Sequence, residues 1–313
     1  MEQMDGLTVS YPKEKALIIV NPFAGVITSN FTQNTINNFL IKNQIQFEIY
    51  QTARETSLRD LISKKIQEGF NKFIVAGGDG TVSLAADGLV GTGFPLAVIP
   101  TGTGNLLARE LHIPLSVIPA LKLAFSSEAE VRALDGMKVN GKRVYLLNIS
   151  IGISPELFQD EIQKEKRFVG RVTYIMHFIK LILNLNIRNL KVDIDGKKQS
   201  KWASEVFISN GKILGFPPFS WNESSALDDG FVGCHFIRAI KFSDVIKFVL
   251  SLSFAPKKLE PLVKYYEIRD RLRISCKKPL KVQADGDLIG YTPILITIEK
   301  NLCKFIVPPV SHA

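Results

Sequence analysis

The chain has 313 residues, 46% of them apolar, enough to build two cores of domain size. No apolar run reaches the roughly 18 residues that a spanning helix needs, and Cys234, Cys276 and Cys303 form no CxxC pair, which disfavours structural zinc and a disulfide framework. The net charge of +9 is uneven: residues 1–140 carry 12 basic against 13 acidic side chains, and residues 141–313 carry 27 against 17. A basic second half seeks phosphate-rich partners, either an anionic membrane face or nucleic acid. No nucleic-acid motif accompanies the charge, so that partner class is disfavoured. The acidic start Met1–Asp5 does not read as a signal peptide, and the scattered cysteines suit a reducing cytosol.

The first half alternates in a parallel α/β rhythm. Residues 16–20 read as a buried strand ending at Asn21-Pro22-Phe23-Ala24-Gly25, and a helix is expected near 30–42. A second strand is expected over 46–50, a helix over 57–69, a third strand over 73–76 and a helix over 81–89. Residues 95–100 form a fourth strand, followed by Thr101-Gly102-Thr103-Gly104-Asn105. Repeated βα units imply an open parallel sheet with ligands beyond the carboxyl ends of its strands. After about residue 135 the pattern changes to short runs of β formers near 144–148, 189–195, 202–209, 231–238, 271–275, 279–284 and 294–299. Turn residues such as Asp195-Gly196 and Asp229-Gly230 separate many of them, which reads as an antiparallel sandwich or barrel. One helical insertion is expected over 168–186. The expected division is an α/β nucleotide-binding domain over 13–139 and a β-sandwich substrate domain over 140–308.

Two glycine loops carry the chemistry. Gly77-Gly78-Asp79-Gly80-Thr81 follows a strand and opens a helix, so its backbone can approach a polyphosphate and aim N–H groups at it. In residues 100–109, Thr103 and Asn105 can bind phosphate or cap the following helix. The dinucleotide fingerprint would need glycine at position 107, where Leu107 stands, so a dehydrogenase is disfavoured. Residues 136–143 approach a Walker A pattern but lack its final Ser/Thr, and Asn140-Gly141 reads as a hairpin turn. Asp135 reads as an outer contact of the site or as a cap. Asp285 reads as a functional acid or as half of an Asp-Gly hairpin. His112, His177, His235 and His312 show no ligand spacing. Lys164–Arg171 before an apolar helix, and residues 245–258, read as lipid-docking segments or as core helices with solvated basic edges.

Together these pieces resemble the diacylglycerol kinase catalytic-domain family of lipid kinases, which includes sphingosine kinase-like members. The resemblance rests on Asn21-Pro22 with Ala24-Gly25, the 77–81 and 100–109 loops, Leu134-Asp135-Gly136, Asn148 to Gly152, Asn210-Gly211, Leu227–Gly230 and Asp285-Gly286-Asp287. It implies an N-terminal domain of the NAD kinase/phosphofructokinase type. It also implies ATP and Mg2+ as cofactors, a lipid acceptor, a peripheral position on an anionic membrane from the cytoplasmic side, and room for a homodimer. Asn21, Pro22, Ala24, Gly25 and Thr52 would line the nucleotide; Gly77, Gly78, Asp79, Gly80, Thr81, Thr103 and Asn105 would hold phosphates and organise magnesium. Asp285 or Asp287 would be the catalytic base, Asp287 standing where the family carries Glu. Asp229, with the carbonyls of Ala226 and Phe231, would form a structural magnesium site. Leu106 departs from the family, many members having Asp there. The competing readings are a kinase for NAD or another small molecule, and a nucleotide-binding regulatory module without turnover.

Overall fold

The computed structural model describes residues 14–22, 29–52, 57–152, 186–212, 225–239, 244 and 262–309. Ala24, Gly25, the helix expected over 168–186 (save Asn186) and both basic-apolar segments lie outside them.

The apolar runs of the first half form β1 (Lys15–Val20), β2 (Gln46–Gln51), β3 (Lys72–Gly77) and β4 (Leu96–Pro100), all parallel in the order β2-β1-β3-β4. Strand β1 shows why the runs are continuous rather than alternating. Leu17 and Ile19 enter one core while Ala16, Ile18 and Val20 enter another on the opposite face. Helices α1 (Ser29–Lys42) and α5 (Val117–Ala124) cover that second face, through Ile36, Leu40, Ala120 and Leu121. Helices α2 (Leu58–Gln67), α3 (Asp79–Leu89) and α4 (Leu106–Glu110) cover the first. Ser57 starts α2 by accepting the Asp60 N–H at 3.3 Å, a cap worth about 1 kcal/mol.

The second half is antiparallel. It comprises β5 (Glu130–Val139), β6 (Arg143–Tyr145), β7 (Asn148–Ile151), β8 (Arg188–Ile194), β9 (Lys197–Ala203), β10 (Glu205–Ser209), β11 (Val232–Ile237), β12 (Val263–Ile268), β13 (Arg271–Cys276), β14 (Lys281–Ala284), β15 (Asp287–Tyr291) and β16 (Ile294–Val307). The run expected over 202–209 is two strands parted at Ser204. One sheet has the order β12-β11-β10-β7-β14-β15. It packs against β5, β8, β13 and β16, with Ile149, Ile208 and Val282 meeting Met137, Val192, Leu272 and Ile296 in one core. The expected architecture, an open parallel α/β unit plus an antiparallel sandwich, is the one observed.

The two units share a strand. The start of β16 pairs antiparallel with β13, and its end pairs parallel with β4 at Phe305 and Leu96. Along its length β16 pairs with β5, with a break in register between Glu299 and Cys303. The parallel sheet thus runs without interruption into one layer of the sandwich.

Candidate active site

The parallel strands end at one rim, and their backbones make the first wall of the site. Thr101 donates its N–H to the Gly77 carbonyl at 3.0 Å, so the two glycine loops leave the sheet side by side. Gly78 and Gly102 then meet backbone to backbone: a Cβ on Gly102 would lie 2.5 Å from the Gly78 Cα. No side chain fits there. The Asn105 amide closes its own loop, accepting the Gly102 N–H at 2.9 Å and donating to the Gly102 carbonyl at 2.9 Å. Asn105 is left-handed (φ 49°), which Asn tolerates better than most residues. Thr103 stands exposed at the crest between the glycines.

The neighbouring strand ends complete the rim. Asn21 follows β1 and donates its side-chain amide to the Thr81 hydroxyl at 2.8 Å. Pro22 is half-buried beside it, and Thr52 follows β2, where its N–H reaches the Val20 carbonyl at 2.9 Å.

Asp79 ties the two glycine loops together. It opens α3, yet its Oδ1 accepts the Leu107 N–H at 3.1 Å, and a Cβ on Gly104 would lie 3.2 Å from its Oδ2. Burial pushes its carboxyl above the ordinary range, while the amides around residues 105–107 pull the other way. Leu106 is buried in the first core against this loop.

The second unit reaches the same rim through the hairpin of β14 and β15. Asp285 and Gly286 form its two-residue turn, with φ 46° and 94° as a primed turn requires. The Asp285 carbonyl lies 3.3 Å from where a Gly80 Cβ would sit, so the hairpin tip touches the first glycine loop. The Asp285 carboxylate is buried beneath the turn, between residues 146–148 and the Ser83 side chain of α3. It accepts the N–H groups of Leu146, Leu147 and Asn148 at 2.8, 3.0 and 2.9 Å, and burial, opposed by these bonds, raises its pKa. Asp287, two residues on, has a half-exposed side chain, and Oδ2 takes both terminal nitrogens of Arg143 at 3.3 and 3.4 Å. Of the two candidate bases, one is saturated by backbone donors and one is open to a substrate.

The turn expected to hold metal lies farther along the same network. Asp229 accepts the Ala226 N–H at 2.8 Å on Oδ2 and the Phe231 N–H at 3.3 Å on Oδ1. The Ser225 hydroxyl also lies 3.4 Å from Oδ2, so Oδ1, with one donor, keeps the lone pair that fits a hard cation taking oxygen ligands and retaining water. Among the described residues no group of three or more His, Cys, Asp or Glu side chains is gathered as a metal cluster. Asp135 is a cap: buried, it accepts the Gly230 N–H at 2.7 Å and the Asn301 N–H at 2.9 Å. It thereby pins the 227–230 turn to the β16 bulge. Arg132 and Asp228 hold the same turn from outside through two 2.7 Å bonds.

Two residues at the site are not singled out by sequence. Glu110, buried at the end of α4, accepts the Lys212 N–H at 2.8 Å and so links the second glycine loop to the 210–212 segment. Arg143 follows the Asn140-Gly141 turn, which is indeed a hairpin between β5 and β6. The alternation of a short strand after that turn was the available signal.

Residues 15–139, which include both glycine loops, match the family described as the diacylglycerol kinase catalytic domain. That stretch belongs to the diacylglycerol kinase catalytic-domain family. The whole chain is also similar to a diacylglycerol kinase of Bacillus subtilis, 24% identical over 90% of this chain and 91% of the relative. A diacylglycerol kinase of Staphylococcus aureus is 24% identical over 94% and 92%. The fold matches a crystal structure of a diacylglycerol kinase from Bacillus anthracis with a TM-score of 0.73, 24% identity, and coverage of 95% of this chain and 98% of that one. Residues 15–139 are thus a diacylglycerol kinase-like catalytic domain, and relatives that match along most of the chain are named diacylglycerol kinases. Among the described residues no helix is long and apolar enough to cross a membrane.

Proposed function

We propose that this kinase transfers the γ-phosphate of ATP to a hydroxyl of diacylglycerol or a related sphingoid-type lipid at a membrane surface. One observation supports the reading: the 285–286 turn of the sandwich touches the Gly77–Thr81 loop through the Asp285 carbonyl, and the half-exposed carboxylate of Asp287 follows directly after that turn. In this reading the amides of residues 78–81 and 102–105, with Asn21, Thr52 and Thr103, cradle the triphosphate. Asp79 sets the spacing of the two loops and would organise magnesium at the phosphates, whereas Asp229 would hold a separate structural magnesium in the second unit. Magnesium when bound neutralises phosphate charge.

Asp287 rather than Asp285 is the base. The lipid oxygen bonds to the γ-phosphorus, the bond from that phosphorus to the β–γ bridging oxygen breaks, and the hydroxyl proton passes to Asp287 Oδ1. Asp285 fixes the hairpin from beneath. The basic second half, +10 over residues 141–313, holds the enzyme at anionic lipid.

Labelled ATP with a total lipid extract, and separately with NAD, tests the reading by mass spectrometry of the products. The expected outcome is one phosphorylated lipid class and no phosphorylated NAD. Asp287→Asn should lower turnover by about 10² to 10⁴. NAD phosphorylation, or ATP binding with no lipid product, would sink it.

A further inference from the structure

Two of the Arg–Asp pairs among the described residues, Arg132–Asp228 and Arg143–Asp287, are partly exposed on both sides but built in different ways. Arg132 spreads over both oxygens of Asp228, Nε to Oδ2 and Nη2 to Oδ1, each at 2.7 Å. That is the fork-on-fork geometry of a structural clamp. Arg143 instead brings Nη1 and Nη2 to the single oxygen Oδ2 of Asp287, at 3.3 and 3.4 Å. No described residue bonds its Oδ1 in the structure. The Arg143 guanidinium is carried by the Tyr145 ring, 4.5 Å from its centroid, and its Nε is buried without a partner. The ring contact anchors the cation, and both of its terminal nitrogens are spent on one carboxylate oxygen.

From this geometry we infer that Arg143 is a positioning residue that holds Asp287 Oδ2 so that Oδ1 faces the acceptor hydroxyl. The inference rests on the proposed role of Asp287. A carboxylate one methylene shorter than Glu has less reach and must be aimed more closely. Its backbone is set by the Asp285 turn and its Oδ2 by Arg143, so the two supports act on different atoms. Tyr145 serves as the platform for the cation. The plain alternative is a rim salt bridge with no bearing on turnover.

A double-mutant cycle in kcat separates the two, using full-length protein, ATP-Mg and the lipid class found in the extract assay, dispersed in mixed micelles. Arg143→Gln should lower kcat roughly tenfold with KM for ATP and lipid unchanged. Arg143→Lys should recover part of that loss, and added guanidinium should restore Arg143→Ala. In the Asp287→Asn background, removing Arg143 should have no further effect, because the group it positions is gone. Losses that multiply across the two positions would overturn the inference while leaving the proposed function standing. Wild-type turnover by Asp287→Asn would remove the assumed base and the inference with it. Should Arg143→Gln fail to fold, Arg143→Lys carries the same cycle.

Discussion

The two walls of the cleft are built by opposite means. On the α/β side the chain shapes the site by leaving side chains out: Gly78 and Gly102 touch because neither has a Cβ. On the sandwich side it shapes the site with carboxylates. Asp285, Asp135 and Asp229 each accept two or more backbone N–H groups and fix a turn, and Asp195 does the same for residues 269–271 far from the cleft. A glycine wall tolerates no added atom, whereas a carboxylate wall tolerates no lost acceptor. An aspartate in such a wall therefore says little by itself about chemistry.

The comparison breaks most sharply at Gly102. Gly102→Ala places a methyl 2.5 Å from a backbone atom that has nowhere to go. Loss of nucleotide binding is expected, with destabilisation of about 1–3 kcal/mol, read by titration with a fluorescent ATP analogue and by urea unfolding. Near-normal affinity would mean the loops can separate freely.

Next comes the pair Asp285→Asn and Asp287→Asn. The first turns one acceptor oxygen into a donor facing amide donors and should cost about 3 kcal/mol. The second should leave stability within about 0.5 kcal/mol while turnover falls. Equal effects on stability would erase the distinction between wall and base.

A smaller effect concerns His235, buried on β11. Burial lowers its pKa from 6.5 to about 4. The unfolded chain then binds the proton first, so this contribution is complete above pH 6.5 and is lost as pH falls toward 4. Urea unfolding at pH 7 and pH 5 should differ by about 2 kcal/mol from this group. His235→Gln should remove that difference. Asp79 and Asp285, whose carboxyls are raised, act with the opposite sign, favouring the fold as pH falls toward 3.8. A slope unchanged in the histidine variant would assign it to other groups.

The smallest effect is at the outer clamp. Arg132 and Asp228 are both partly exposed, and breaking the pair should cost less than about 1 kcal/mol, measured by thermal unfolding of Arg132→Gln. A larger loss would show that the metal-fitting turn depends on the clamp more than on Asp135.

These contrasts explain what the sequence could reveal. Strands β1, β3 and β4 bury both faces, so their apolar runs stand out, and the helices between them keep a regular spacing. Strand β9 (KKQSKWA) and strand β12 (VKYYEI) are held by cross-strand bonds and by a buried side chain at one or both ends, so composition conceals them. Strand β16 is legible only to residue 299, because Glu299-Lys300-Asn301 interrupts its alternation where the register breaks. At the site, Gly77–Thr81 announces itself through glycine spacing. The division of labour between Asp285 and Asp287 does not, since it depends on which carboxylate points inward from a two-residue turn. Arg143 is hidden for the same reason: its meaning lies in a ring contact and in a hairpin 144 residues away in sequence.

The shared strand has a bearing on how the molecule comes into being. Until Phe305 is synthesised, β4 remains an open sheet edge beside the second glycine loop, its N–H and C=O groups unpaired on that side. The nucleotide half of the cleft is thus finished only when the last strand of the acceptor half arrives during translation. A nascent chain stalled before residue 294 should expose β4 to limited proteolysis and to strand-binding chaperones, and release of the final strand should close both vulnerabilities at once.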